Sequence, residues 1–401
     1  MFPDMAGAFE KLTFMGQEDN RKRIPYGRQW VFAEDIDAVQ EVLRSDWLTQ
    51  GPVIEEFENA LAAHCGARYA VAVSNGTAAL HAACFAAGVE SGREVITSPI
   101  SFVASANAVL YQNGRPVFAD ILEDTLTLDP EAVEQAVTTR TRAIIAVDFA
   151  GHPAELDELR TIAEKHDLLL IEDAAHALGA RYKGRTVGNI ADMTVFSFHP
   201  VKHITTGEGG MVLTDDARLC ERLRLFRTHG ITRRRQDFTD EDDGPWYYEM
   251  QELGFNYRIT DFQCALGLSQ LARLDGFVAR RREIAETYRI AFDDLADITC
   301  PTERPYCESS FHIYPVRVRT SGSGRARKQV FNGLIEAGLN VNVHYIPIHL
   351  QPYYRKRFGT GPGLFPRAER YYERAITLPI FPRMKDDDVD RVIEAVHQAC
   401  G

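Results

Sequence analysis

Lys202 stands in Ser197-Phe-His-Pro-Val-Lys202, between the aromatic-rich run 194–198 and a glycine-rich turn, Gly207-Glu-Gly-Gly210, that leads into the apolar Met211-Val-Leu213. The pattern predicts strand, short loop, tight turn, strand, with the lysine on the loop. An amine held there away from bulk water loses its proton more readily, because desolvation disfavours the ammonium form, and the neutral amine attacks a carbonyl carbon. Taken alone, a loop lysine is a solvated surface charge. Asp173 changes that reading. It closes Leu168-Leu-Leu-Ile-Glu-Asp173, an apolar run of the length of a buried parallel strand. Ligands of open α/β sheets lie outside the carboxyl ends of the strands, where a carboxylate could hold a protonated ring nitrogen. The competing structural role is an N-cap for a helix over 174–178.

A third piece lies upstream. Ala70-Val-Ala-Val73 is followed by Ser74-Asn-Gly76-Thr77 and then by the helical Ala78-Ala-Leu-His-Ala-Ala. The free amides and dipole of a helix N-terminus favour a phosphate, although a strand-to-helix turn that binds nothing looks the same. Phosphate cradle, strand-end aspartate and loop lysine, in that order, are what pyridoxal phosphate requires. Its phosphate needs N–H donors, its pyridine nitrogen needs an acid partner, and its aldehyde needs a lysine.

Six segments, in order, resemble the fold-type I sugar aminotransferases of the DegT/DnrJ/EryC1/StrS family. They are Ser74-Asn-Gly-Thr-Ala-Ala-Leu80, Ser98-Pro-Ile-Ser-Phe-Val-Ala-Ser105, Ile171-Glu-Asp-Ala-Ala-His176, Ser197-Phe-His-Pro-Val-Lys202, Gly207-Glu-Gly-Gly210 and Gly254-Phe-Asn-Tyr-Arg-Ile-Thr-Asp261. The similarity runs from Ile24 to near the C-terminus. It implies an α/β, fold-type I transferase dependent on pyridoxal phosphate. A flexible tail (1–23) would precede a large cofactor-binding domain (24–275), with a mainly parallel mixed sheet between helices, and a smaller α+β domain (276–401). The resemblance makes Lys202 and Asp173 the catalytic pair. It gives the phosphate to Gly76, Thr77 and Ser197, the face of the ring to Phe102, and the phenolic oxygen to His176. Phe102 as a core residue and His176 as a helix cap are the structural alternatives. Asn256 would reach the phosphate of a neighbouring subunit, so the implied active site is shared across a homodimer.

Within the family, Ile24-Pro-Tyr-Gly-Arg28, Phe198-His-Pro-Val-Lys202 and Val343-His-Tyr-Ile-Pro-Ile-His-Leu-Gln-Pro-Tyr353 resemble the C4 aminotransferase of the pseudaminic acid pathway. That implies amino transfer from glutamate to C4 of a UDP-linked 4-keto-6-deoxy-N-acetylhexosamine. Relatives acting at C3, or on dTDP or GDP sugars, share most of the motifs. A dehydratase branch, with histidine at the lysine position, and a non-catalytic cofactor-binding regulator are the other classes. With the cofactor's needs met elsewhere, Tyr26, Arg28, His344 and Tyr345 are expected around the sugar nucleotide. Arg28 would make a charge-assisted fork with the diphosphate; a surface arginine and a packing tyrosine are the alternatives.

These groups need a sizeable scaffold, and 401 residues is long enough for two domains. A formal net charge of −12 argues against a nucleic-acid binder, which would carry a basic face. It does not exclude an anionic small substrate. Residues 1–23 contain no continuous apolar segment of the signal-peptide kind, and no apolar run approaches the roughly 18 residues that span a bilayer. Seven scattered cysteines, an odd number without a C-x-x-C pair, read as reduced thiols of a cytoplasmic protein, with neither disulfide framework nor metal site.

From Ala70 to Leu213 strands and helices alternate, as a sheet with crossover helices requires. The spacing predicts helices from Phe102 to Tyr111 and, as one long element, from Phe262 to Leu295. It also predicts a half-exposed strand over 311–320, a turn at Ser321-Gly-Ser-Gly324 and a strand from Val341 to Pro347. Residues 231–250 read as an exposed charged loop or lid, and Trp47 as a packing anchor or a substrate neighbour.

Overall fold

The computed structural model describes residues 23–319 and 327–400, so the predicted tail, apart from Arg23, and the predicted 321–324 turn lie outside the described residues. The main sheet has seven strands: β1 (Tyr69–Val73), β2 (Glu94–Thr97), β3 (Arg115–Phe118), β4 (Thr141–Val147), β5 (Leu169–Asp173), β6 (Met193–Ser197) and β7 (Gly210–Thr214). Their order is β1-β7-β6-β5-β4-β2-β3. Strands β2 to β6 pair in parallel, and β7 runs antiparallel to β1 and β6. The reversal follows from chain length. Parallel neighbours need a long crossover, whereas residues 198–209 return from β6 to β7 with no helix at all. That short return is the loop that carries Lys202.

The central strands are apolar on both faces because both faces are covered. Ile144, Ile145, Leu170, Ile171, Val195 and Val212 have no exposed surface, and each such side chain contributes about 1.5–3 kcal/mol. The helix Gly76–Ala86 is apolar nearly all round and correspondingly buried from Ala78 to Cys84. Its start is therefore held rigidly against the sheet. A Cβ on Gly76 would lie 2.9 Å from Ser197 Cβ, and one on Gly210 would lie 2.5 Å from the Asn75 carbonyl oxygen. Only glycine permits this approach, which draws the 74–77 turn up to the end of β6 and the start of β7.

A second sheet, β8 (Ile298–Thr299), β9 (Tyr314–Val318) and β10 (Ala375–Leu378), is antiparallel in that order. With the helices Arg327–Glu336 and Asp386–Cys400 it encloses its own core around Val316, Val318, Leu334, Ile376 and Val392. Ile24 joins this core, its amide donating to the Gly338 carbonyl at 3.0 Å. The start of the described chain thus packs with the smaller sheet, not with the larger one to which the sequence reading assigns it. No helix among the described residues is long and apolar enough to cross a membrane. All seven cysteines are free.

Several sequence expectations need correction. The long helix is two, Asp261–Leu271 and Leu274–Ala291, broken at Ala272 and Arg273. The break lets one helix pack with the large unit while the other begins there, at Leu274 and Phe277, and ends in the small core at Ile284 and Tyr288. The expected boundary after 275 therefore falls inside a helix that serves both cores. The helix after β2 begins at Ala104, leaving Phe102 outside it. The strand expected over 311–320 is limited to 314–318 and is almost wholly buried. Residues 341–347 form no strand beyond one bridge from Asn342 to Thr377, and no helix follows Asp173.

Candidate active site

Lys202, Asp173 and the 74–77 turn converge at the carboxyl ends of β1, β5 and β6. Lys202 keeps some contact with the cleft but has protein on nearly every side. Burial pushes its amine down to about 8; the nearby Asp173 carboxylate opposes the shift and the Arg281 guanidinium adds to it. Asp173 is itself buried, and that burial raises its carboxyl above the usual range against the pull of Ser105, the Ala175 amide and Lys202. The Ser105 hydroxyl donates to Asp173 Oδ2 at 2.6 Å and the Ala175 amide to Oδ1 at 3.3 Å. Asp173 is thus a fixed acceptor facing the lysine, and the helix-cap alternative falls with the missing helix.

At the turn, Asn75 caps the helix, its side-chain oxygen accepting from the Ala78 amide at 2.8 Å. The Gly76 and Thr77 amides precede any intrahelical acceptor and open beside Ser197. Phe102 is 57% exposed, so it is not a core residue, and its ring lies 6.1 Å from that of Tyr345. His176 is buried, with Nδ1 unpartnered and Nε2 3.2 Å from the Tyr345 hydroxyl. Its ring packs 4.3 Å from that of His312. Burial and the nearby Lys202 hold it well below the usual imidazole range, so it is neutral.

The four residues expected around the substrate divide differently. Arg28 is exposed and lines one crevice with Lys202, Pro200 and Gln270. His344 is buried, its Nδ1 2.9 Å from Thr377 Oγ1, and burial pushes it down to about 4. The Tyr26 ring lies 5.4 Å from His344. The sequence reading puts Tyr345 on the sugar side, away from the cofactor group. Its bond to His176 and its contact with Phe102 place it between the two. Asn256 is exposed and its side chain bonds none of the other site residues. The adjoining Tyr257 carbonyl accepts the Ser74 amide at 2.9 Å. Trp47 is 56% exposed and packs as no anchor within the chain.

Sequence reasoning missed Ser105, His312 and Arg281. Ser105 closes the motif that contains Phe102, and the one-turn spacing between them was the available signal. Arg281 is fully buried on the helix Leu274–Ala291, with Nη1 donating to the carbonyls of Phe311, His312 and Ile380 at 2.9–3.2 Å. Nothing local marks it. Asp261, which ends the Arg-Ile-Thr-Asp segment, is structural. Its carboxylate accepts the Gly51 and Val53 amides at 2.9 and 3.1 Å and so fixes the Trp47 loop.

The model of the DegT/DnrJ/EryC1/StrS aminotransferase family matches residues 31–397. The chain belongs to this family. The spore coat polysaccharide biosynthesis protein SpsC of Bacillus subtilis is 42% identical over 374 residues, 93% of this chain and 96% of that protein. Among solved structures, Helicobacter pylori PseC, an aminotransferase involved in the biosynthesis of pseudoaminic acid, is 34% identical. The match covers 94% of this chain and 99% of that one, with a TM-score of 0.86. A Streptococcus pneumoniae protein solved in PMP and PLP forms is 31% identical over 94% of this chain and 97% and 100% of those chains, with TM-scores of 0.87 and 0.86.

The site residues fit the cofactor of a DegT/DnrJ/EryC1/StrS aminotransferase, pyridoxal phosphate. Two amides at a capped helix start suit its phosphate, and the close approach of Gly76 to Ser197 makes that cradle narrow. A buried acid and a deprotonation-prone lysine stand beside each other, and an exposed aromatic ring is available to cover a planar ligand. His203, beside Lys202, instead turns inward, its Nε2 3.2 Å from the Ser310 carbonyl. The lysine, not the histidine, feels the Asp173 charge.

Proposed function

We propose that this aminotransferase moves the amino group of glutamate onto C4 of a UDP-linked 4-keto-6-deoxy-N-acetylhexosamine. The observation that carries the reading is the largely buried Lys202, its amine pushed down to about 8 within reach of the Asp173 charge, in the wall of a crevice that Arg28 also lines. When bound, pyridoxal phosphate supplies an aldehyde and an electron sink. Lys202 would hold that aldehyde through its Nζ, and the same Nζ would carry a proton as general base and acid. Asp173 would keep the ring nitrogen protonated, with the Ser105 hydroxyl fixing the orientation of its carboxylate. Gly76, Thr77 and Ser197 would hold the phosphate, Phe102 would cover the ring, and His176 with Tyr345 would orient the phenolic oxygen. Glutamate leaves as its 2-keto acid and the sugar ketone becomes an amine, so no outside oxidant or reductant is needed.

The resemblance to PseC supports a nucleotide-sugar acceptor, and Arg28, Tyr26 and His344 are the groups in reach of it. Replacing Arg28 or His344 with glutamine is expected to slow the keto-sugar half-reaction about ten- to a hundredfold, the loss of one or two charge-assisted bonds. The glutamate half-reaction, followed by loss of the cofactor's visible absorbance, should change little. Tyr345→Phe should slow both, because Tyr345 touches His176. Equal losses for Arg28→Gln in both halves would remove it from the substrate pocket. A panel of UDP, dTDP and GDP keto-sugars tests the acceptor directly, and preference for a dTDP or GDP sugar would displace the UDP assignment.

The site is completed across a homodimer in this reading. Leu253, Met250 and Trp246 are 62–75% exposed, and Trp47 and Leu48 are exposed as well. Exposed apolar side chains of this size favour burial against a second copy, and Asn256 is itself exposed, three residues beyond Leu253. Mixing inactive Lys202→Ala chains with inactive Asn256→Ala chains should then restore activity, about a quarter of the sites in a random mixture being intact. Full activity of a monomer by light scattering would end the idea.

A further inference from the structure

A cavity of about 390 Å³ opens beyond the β3 edge of the main sheet, where the loop after β3 meets β9 and the helix Pro366–Arg374. Five arginines line it, 317, 319, 367, 370 and 374, against one acid, Glu123. Two of the five are neutralised nearby: Arg367 by Asp129 and Asp120, and Arg370 by Glu123 at 2.9 Å. Arg317, Arg319 and Arg374 have no carboxylate partner among the described residues. Arg317 spends one nitrogen on the Glu123 carbonyl oxygen, while the Nε atoms of Arg317 and Arg374 are buried without a hydrogen-bond partner. In a chain of net charge −12, three unneutralised guanidinium groups around one cavity are a local reversal of sign.

We infer that this cavity is a second anion site, one that takes a phosphate-bearing small molecule. Guanidinium forks match phosphate oxygens in pairs, and buried N–H groups left without acceptors are costly until a ligand supplies them. The volume is within the range of small-molecule sites and too large for a single phosphate alone. Burial pushes the Arg317 guanidinium down although Glu123 and Asp124 are near, so the chain's own acids do not compensate it. The cavity is separate from the cleft of Lys202. The buried Leu126 and Tyr371 of its wall also pack in the cluster with Phe149 and Tyr345, and the Tyr371 hydroxyl donates to the His344 carbonyl at 2.6 Å. The three unneutralised guanidinium groups make the site selective for multiply charged anions.

Titration calorimetry on the full-length enzyme loaded with pyridoxal phosphate tests this, with inorganic pyrophosphate and UDP as probes. Loading keeps the phosphate turn at Gly76 occupied. Saturable pyrophosphate binding is expected, weakened at least tenfold by Arg319→Gln and by Arg374→Gln made separately, and unchanged by Arg28→Gln, which reports on the catalytic cleft. Melting curves establish that each variant is folded, and either one suffices. At the Arg374-dependent site, tighter binding of UDP than of pyrophosphate would identify a nucleotide ligand, and equal binding would identify the phosphates alone. Lack of saturable pyrophosphate binding, binding that survives both replacements, or binding lost in Arg28→Gln would overturn the assignment.

Discussion

Replacing Lys202 with alanine is expected to lower turnover by about 10⁴-fold or more, since in the proposed reading it removes both the amine that would hold the cofactor and a general acid–base worth about 10²–10⁴ by itself. Borohydride reduction of the wild-type holoenzyme should place the cofactor's mass on the peptide containing Lys202. The other two amines are engaged elsewhere: Lys183 Nζ is 2.8 Å from Asp157 and Lys165 Nζ is 2.6 Å from Glu134. An adduct on either would sink the assignment. A pH titration gives an independent check. With its amine pushed down to about 8, Lys202 is neutral in roughly a tenth of molecules at pH 7, against roughly one in 2,500 for an ordinary lysine. Cofactor capture by the apoprotein should therefore quicken as pH rises and level off above a midpoint near 8. A rate still climbing steeply at pH 10 would mean that Lys202 is an ordinary, solvated lysine.

Asp173→Asn is expected to cost about 10- to 1,000-fold in turnover, the range that follows when a neighbouring charge shifts a pKa by about 1–3 units and the ring nitrogen is no longer kept protonated. The asparagine fits the same space and its oxygen can still accept from Ser105, so the fold should survive with a nearly unchanged melting temperature. One effect has the opposite sign. The Asp173 charge favours the ammonium form of Lys202, so removing it should move the capture midpoint below 8 while turnover falls. Loss of turnover with an unmoved midpoint would separate the two groups and leave Asp173 a purely structural role.

What the sequence determined by itself follows from short-range physics. The strand that ends at Asp173 is legible because a parallel strand covered on both faces needs an unbroken apolar run. The 74–77 turn is legible because small residues and Asn75 must stand between a strand and a helix start. Ordered motifs identified the family and, with it, Lys202. Tertiary structure alone decided the rest. The break at Ala272 and Arg273 serves two cores, and no helical period within 262–295 records that choice. Residues 341–347 are apolar enough for a strand, but only Asn342 finds a bridging partner, since sheet pairing depends on what lies alongside. Tyr345 meets His176 across 169 residues of chain, so its place beside the cofactor group could not be read from its neighbours in sequence. Arg281 looks like any surface arginine on a helix. It becomes a buried cation beneath Lys202 only because the segment 311–312 and Ile380 fold over it and supply their carbonyl oxygens.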